Sequence, residues 1–115
     1  MLALLRAAWA TFDAAAAGAA GVSLRLGPRG GGRQVPKIID HVREAESAYL
    51  GQLGSRLPNA SELHDAFADA VTARAACEPP AQPNRVTKPW SPRYAVRRAA
   101  WHVLDHAWEI EDRAP

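Results

Sequence analysis

The chain contains little cysteine, few β-branched residues and no long uninterrupted apolar run. Its single cysteine, Cys77, cannot form an internal disulfide, and such sparse cysteine usage is typical of a reducing cytoplasm. Without a long apolar run, a helix that spans a membrane is not expected. No segment alternates apolar and polar residues with a period of two, so a sheet is not expected either. These absences favour an all-α protein of the cytoplasm.

The balance of charge gives no reason to expect a nucleic-acid partner. Fourteen basic and twelve acidic side chains are interspersed and leave a formal charge of only +2. Basic and aromatic residues do occur together in one segment: Trp90, Arg93, Tyr94, Arg97 and Arg98. Trp101 and Trp108 lie on the same flank, however, and are expected to pack against Tyr94 and Arg97. We therefore predict no nucleic-acid partner.

The first 21 residues are apolar and end in small residues, which superficially imitates a secretion signal. Arg6 and Asp13 interrupt the apolar stretch, and no basic region precedes it. Such a segment is also too short and too interrupted to cross a bilayer. The expectation is a helix of a cytoplasmic protein with no membrane partner.

Alanine is abundant instead, and helical periodicity appears four times, with two long connections and a short one between the segments. With 115 residues, the chain has room for one domain, 1–115, with a modest core. Three of the predicted helices run over about Leu2–Ala20, Val35–Leu53 and Pro92–Asp112. The third helix along the chain ends before Pro79, and a connector over 78–89 leads from it to the fourth. Four amphipathic helices connected in this way are typical of a four-helix bundle.

Residues that begin and end helices support these boundaries. Gly54 is placed to stop the second helix, and Ser91 is placed to cap the fourth. For the third helix two caps are possible: Asn59 with Glu62, or Ser61 alone.

Three of the four histidines are arranged in a way that could hold a metal ion. His102 and His106 are four residues apart, which places both imidazoles on one face of the last helix. His41 lies 61 residues upstream on the second helix. All three lie where the apolar face of the helix gives way to polar residues, so they can line a shared cleft. The alternative is that they are hydrogen-bonded surface residues.

Other polar positions have plainer interpretations. His64, near the start of the third helix, is expected to be a surface residue, and Cys77 an inert small side chain. The loop 30–33, Gly-Gly-Gly-Arg, could present backbone N–H groups to an anion, but a simple turn is favoured.

Glu46 is unusual because it lies in the middle of an apolar helix face. A carboxylate in such a position needs a partner. Arg97 or Arg93 of the last helix, or Arg33 of the loop, could supply one. We interpret Glu46 as half of a structural buried pair rather than as a catalytic acid.

Two segments together resemble a known family. His41-Val-Arg-Glu-Ala-Glu-Ser-Ala-Tyr49-Leu50, followed by His102-x-x-x-His106-x-x-x-Ile110, resembles the DinB/YfiT-like superfamily of four-helix bundles. The likeness covers the whole chain in element order, although family members often carry Gly-Gln where this chain has Trp108-Glu109. It implies that His41, His102 and His106 bind a divalent metal such as zinc, nickel or iron.

The same resemblance implies an enzyme that acts on a small molecule, either a thiol S-transferase or a hydrolase. A hydrolase would need a general base, for which Glu109 and Glu44 are the candidates because they lie closest to the histidines. Glu109 could instead orient a histidine. Related bundles often form dimers, so a homodimer is expected. The alternative function is a non-catalytic helical module for self-association, without a metal.

Overall fold

The computed structural model describes residues 1–27, 32–55, 62–80, 86 and 88–115. Within these ranges the chain forms four α-helices and no strand: α1 (Leu2–Gly18), α2 (Val35–Gln52), α3 (Leu63–Ala75) and α4 (Pro92–Arg113). They pack into a bundle with principal extents of 47 × 25 × 25 Å. The all-α prediction is confirmed, and none of the described helices is both long and apolar enough to cross a bilayer.

The helix boundaries follow local chemistry. After α2, Gly54 adopts a left-handed φ of +75°, which favours glycine and ends the helix as predicted. At the start of α4 the Oγ of Ser91 accepts a hydrogen bond from the backbone N–H of Tyr94 at 3.2 Å. Glu62 flanks the start of α3 without a side-chain cap, while Asn59 and Ser61 lie outside the described residues.

Helix α4 is the central element, because it packs most extensively on α1 and also contacts α2 and α3. Small buried residues on its inner face allow this close approach: Ala95, Ala99, Ala100 and Ala107. The other helices contribute most of the large apolar side chains of the core, including Leu5, Trp9, Phe12, Ile38, Leu50, Phe67 and Val71, and α4 adds Val96, Val103 and Ile110.

The segment after α1 is fastened to the rest of the bundle by hydrogen bonds. The Gln34 side chain accepts from Leu24 N–H at 2.7 Å and donates to the Leu24 carbonyl at 3.3 Å. Arg25 N–H donates to the Arg113 carbonyl at 2.9 Å, and Arg113 Nε donates to the Arg25 carbonyl at 2.6 Å. These bonds hold the last turn of α4 in place.

The packing predicted for two tryptophans is wrong. Trp101 and Trp108 are 57% and 53% exposed, and Tyr94 is also exposed. Tyr94, Trp101 and Trp108 follow one another at intervals of seven positions. This spacing keeps them on one stripe of α4 that points away from the alanine face. Tyr94 instead packs edge-on against Trp90, with ring centroids 4.8 Å apart.

Candidate metal centre

His41 of α2 meets His102 and His106 of α4 in the folded chain. The Nε2 atoms of His41 and His102 are 3.3 Å apart, and one ligand nitrogen from each of the three rings lies within 4.8 Å of the others. The predicted convergence of residues 61 positions apart is confirmed. These three side chains could hold a metal ion.

The packing of α2 on α4 explains the meeting. Ile38 and Val42 on α2, and Ala99 and Val103 on α4, are all buried where the two helices contribute to the core. The histidines follow at the edge of these apolar faces, so the two edges form one cleft. His102 is the deepest of the three, with 9% of its surface exposed, whereas His41 and His106 are half-buried.

The spacing of the nitrogens fits a transition-metal site. Bonds of about 2.0–2.1 Å to a tetrahedral ion place two imidazole nitrogens about 3.3 Å apart. The Nε2 atoms of His41 and His102 already have this separation. The third ring needs only a small side-chain adjustment, because all three donors are within 4.8 Å.

The electrostatics of the site favour the neutral rings of His102 and His41, the form that binds metals. Burial, together with the charges of His106, His41 and Arg98, lowers the pKa of His102 to about 4, with Asp105 opposing. Burial also lowers the pKa of His41, as do the charges of Arg33 and His106, while Glu44 and Glu109 act in the opposite direction.

One nitrogen of His102 is left without a partner. Its Nδ1 is buried and forms no hydrogen bond within the described part of the chain, while Nε2 faces His41. A protonated ring would need acceptors for two N–H groups, and this pocket supplies none for Nδ1. The surroundings of His102 therefore favour a neutral ring with one nitrogen facing the other histidines.

Glu109 holds His106 in position. His106 Nδ1 donates to Glu109 Oε1 at 2.8 Å, and Arg113 Nη1 donates to Glu109 Oε2 at 2.7 Å. Burial raises the pKa of Glu109, but the hydrogen bonds from His106 and Arg113 outweigh it and lower the pKa overall. Because Nδ1 of His106 is occupied, its Nε2 is the nitrogen available to a metal.

Glu44 lies in a different position from Glu109. It is exposed and lines a small cleft of about 260 Å³ beside His41, together with Arg33, Lys37 and Asp40. Its influence on His41 is through charge, since it raises the pKa of that ring against the effect of burial. Of the two carboxylates singled out in the sequence, only Glu109 makes a hydrogen bond to a histidine of the site within the described residues.

Aromatic residues that the sequence analysis did not assign to the site form one of its walls. The Tyr49 ring packs edge-on against His102, with centroids 5.9 Å apart, and Trp90 packs against Tyr49 at 5.2 Å. Arg98 lies over the Tyr49 ring at 5.6 Å. Tyr49 follows His41 by eight residues, about two helical turns, so its helical phase could have identified it.

The partners predicted for Glu46 are wrong, although its burial is confirmed. Glu46 is fully buried, and its Oε1 accepts from Trp9 Nε1 at 3.0 Å, while its Oε2 contacts His64 Nε2 at 3.0 Å. The partners come from α1 and α3 rather than from α4 or the loop. The position of Trp9 in the apolar stripe of α1 could have indicated this pairing, because a buried indole N–H needs an acceptor.

His64 is therefore not a plain surface residue. Its ring stacks on Trp9, with centroids 3.8 Å apart and planes 5° from parallel, in addition to its contact with Glu46. Cys77 is exposed, at the end of α3. Gly30 and Gly31 of the glycine-rich loop lie outside the described residues, so the turn predicted there stays a prediction.

Comparisons with protein-family models, with curated proteins and with solved structures find no match to this chain. The likeness to the DinB-like bundles therefore stays a prediction based on the two histidine segments and the order of the helices.

Proposed function

We propose that this chain is a metal-dependent cytoplasmic enzyme of the DinB-like kind, which acts on a small molecule by thiol S-transfer or hydrolysis. The observation that carries the proposal is the meeting of three imidazoles, two of them with nitrogens 3.3 Å apart. His41, His102 and His106 would hold one divalent ion. Three neutral imidazoles suit zinc, nickel or iron, among which availability in the cell would decide.

A divalent ion with three imidazole ligands keeps an open position and lowers the pKa of a thiol or water bound there. The protein residues have separate roles around it. Glu109 fixes the ring of His106, because both of its oxygens are engaged. Of the two candidate carboxylates, Glu44 is the one exposed in the cleft beside His41, where it would act as a general base. Arg33 and Lys37 at the same cleft would attract an anionic group of the substrate.

Metal content tests this proposal directly. Protein purified after growth in zinc-supplemented medium should contain about one zinc per chain, as measured by elemental analysis. His106→Ala should lose that metal, because it removes one of three ligands. The matched control is His64→Gln, which changes the one histidine outside the cluster and should keep the metal.

Far-UV circular dichroism of both variants excludes loss by unfolding. Wild-type protein without stoichiometric metal, or equal metal loss in His64→Gln, would contradict the proposal. Addition of a thiol to cobalt-substituted protein then distinguishes thiol S-transfer from hydrolysis. A thiolate bound to cobalt gives an intense near-ultraviolet charge-transfer band, which is expected for the S-transferase.

A second function, self-association, is favoured by the exposed stripe Tyr94, Trp101 and Trp108. Large exposed apolar patches mark interaction surfaces. The stripe is also self-complementary in charge, because Arg97 follows Tyr94 and Asp105 precedes Trp108. A second copy of α4, packed antiparallel about Trp101, would set Tyr94 against the partner's Trp108 and Arg97 against the partner's Asp105.

Light scattering over a range of protein concentrations measures the association. Trp101→Glu should shift the protein to monomer, whereas Leu4→Glu, at an equally exposed apolar position of α1, should not. Arg97→Asp should weaken the dimer, and Arg97→Asp with Asp105→Arg should restore it. A wild-type monomer at high concentration would contradict self-association and leave the metal proposal unaffected.

A further inference from the structure

A second and larger cavity is lined by residues of α1, α2 and α3 and by Val103 of α4, on the side of α2 away from His41. Its volume is about 530 Å³, within the range of small-molecule sites, and none of the three clustered histidines lines it. Apolar side chains form its interior, including Phe12, Ile39, Val42 and Val103.

The cavity contains a fixed aromatic platform. Glu46, fully buried, joins Trp9 of α1 to His64 of α3 through its two oxygens, each at 3.0 Å. Trp9, which is buried, stacks in parallel under the His64 ring and leaves the outer face of that ring as a flat surface at the cavity wall. The His64 side chain is 42% exposed, so this platform is open to a ligand.

The hydrogen bonding of His64 also gives the platform a defined polarity. A carboxylate oxygen accepts, so the ring hydrogen lies on Nε2, toward Glu46. In a neutral ring, Nδ1 then carries the lone pair and can accept a hydrogen bond from a ligand N–H. The same carboxylate-to-imidazole arrangement fixes the tautomer of histidine in many functional sites.

The mouth of the cavity is acidic. Exposed Asp13, Glu62 and Asp65 line it, with Arg43 as the one exposed base among the lining residues in the described part of the chain. Carboxylates around a low-dielectric opening raise the local concentration of cations and disfavour anions.

We propose that this cavity binds a small organic cation with a flat apolar body. The body would pack on the outer face of the His64 ring, which Trp9 supports from behind, and the ammonium group would lie among the carboxylates of the mouth. The site is distinct from the histidine cluster and does not depend on a metal in that cluster.

The test uses three probes that share a phenyl body and differ in charge: 2-phenylethylammonium, phenylacetate and 2-phenylethanol. A variant with Phe in place of Trp90, Trp101 and Trp108 leaves Trp9 as the only indole, so that its fluorescence reports on the cavity. Calorimetry gives the affinities for the wild-type chain. The ammonium should bind at least ten-fold more tightly than phenylacetate, and added salt should reduce the difference.

Variants of the mouth locate the binding. Asp13→Asn with Asp65→Asn should weaken binding of the ammonium about ten-fold, without a change in zinc content. The matched control is Asp69→Asn, which alters an exposed carboxylate of α3 that does not line the cavity, and it should leave the affinity unchanged. Circular dichroism confirms that the variants are folded.

Failure of all three probes to bind would overturn the proposal. Equal affinities for the ammonium and phenylacetate would also overturn it. So would a loss of ammonium affinity in Asp69→Asn as large as that in the double variant of Asp13 and Asp65. Because zinc content is measured separately, these outcomes do not depend on whether the histidine cluster binds metal.

Discussion

At the scale of single residues, Glu109 shows how one side chain can serve two neighbours. It lies one turn after His106 and one turn before Arg113, and each of its oxygens is occupied by one of them. Arg113 is in turn held by the backbone of Arg25. The position of the His106 ring therefore depends on contacts that extend to the segment after α1.

His102 gives a prediction for pH dependence. In the unfolded chain its pKa is near 6.5, whereas burial and the neighbouring positive charges lower the pKa in the folded chain to about 4. Between these values the unfolded state binds more protons, so the stability of the metal-free protein should fall as pH decreases from about 6.5 to about 4. His41 acts in the same direction.

Urea denaturation of metal-free protein at several pH values measures this effect. His102→Gln should show a smaller loss of unfolding free energy across the same window. A wild-type stability that is flat or rises as pH falls from 6.5 to 4 would contradict the prediction.

At the scale of elements, α4 performs three tasks on three sides of one helix. Its alanine face packs on the other helices, its edge presents His102 and His106, and the opposite stripe exposes Trp101 and Trp108. These three sets of residues point in different directions, because successive residues of an α-helix are rotated by 100° about its axis. Consequently, changes on one side of α4 should leave the other sides largely intact.

The cap of α4 can be tested on this basis. Ser91→Ala removes the acceptor for Tyr94 N–H and should lower the unfolding free energy by about 1 kcal/mol. Ser47→Ala, at an exposed interior position of α2, should be neutral or slightly stabilising because alanine is the better helix former. Chemical denaturation measures both. An equal decrease in unfolding free energy in the two variants would show that the Ser91 cap does not stabilise the protein.

At the scale of the whole molecule, the proposed metal would join α2 to α4 at one point. An ion that binds only the folded state stabilises it by about 2.7 kcal/mol at a concentration 100 times its Kd. For a domain of this size, each kcal/mol raises Tm by roughly 4 °C or more. Zinc should therefore raise Tm by on the order of 10 °C.

Differential scanning calorimetry with zinc, with a chelator and with magnesium measures this shift. Magnesium, which prefers oxygen ligands, should have no effect. His41→Ala should abolish the zinc effect, since it removes the one ligand contributed by α2. A zinc shift that persists in His41→Ala would place the ion elsewhere.

The helices and the meeting of the histidines could be predicted from sequence. Helical periodicity and residues such as Gly54 and Ser91 act within a few positions of the chain, so their effects are local. The edge positions of His41, His102 and His106 follow from the same periodicity. A histidine at the edge of an apolar face tends to lie beside an adjacent helix, and this holds without knowledge of which helix is adjacent.

The partners of Glu46 and the large cavity could not be predicted. Periodicity shows that Glu46 faces the interior, but the identity of its neighbours depends on how α1 and α3 pack on α2. Trp9 is 37 residues away and His64 is 18 residues away. Contacts at such separations are determined by helix packing, because no local interaction links those residues along the chain.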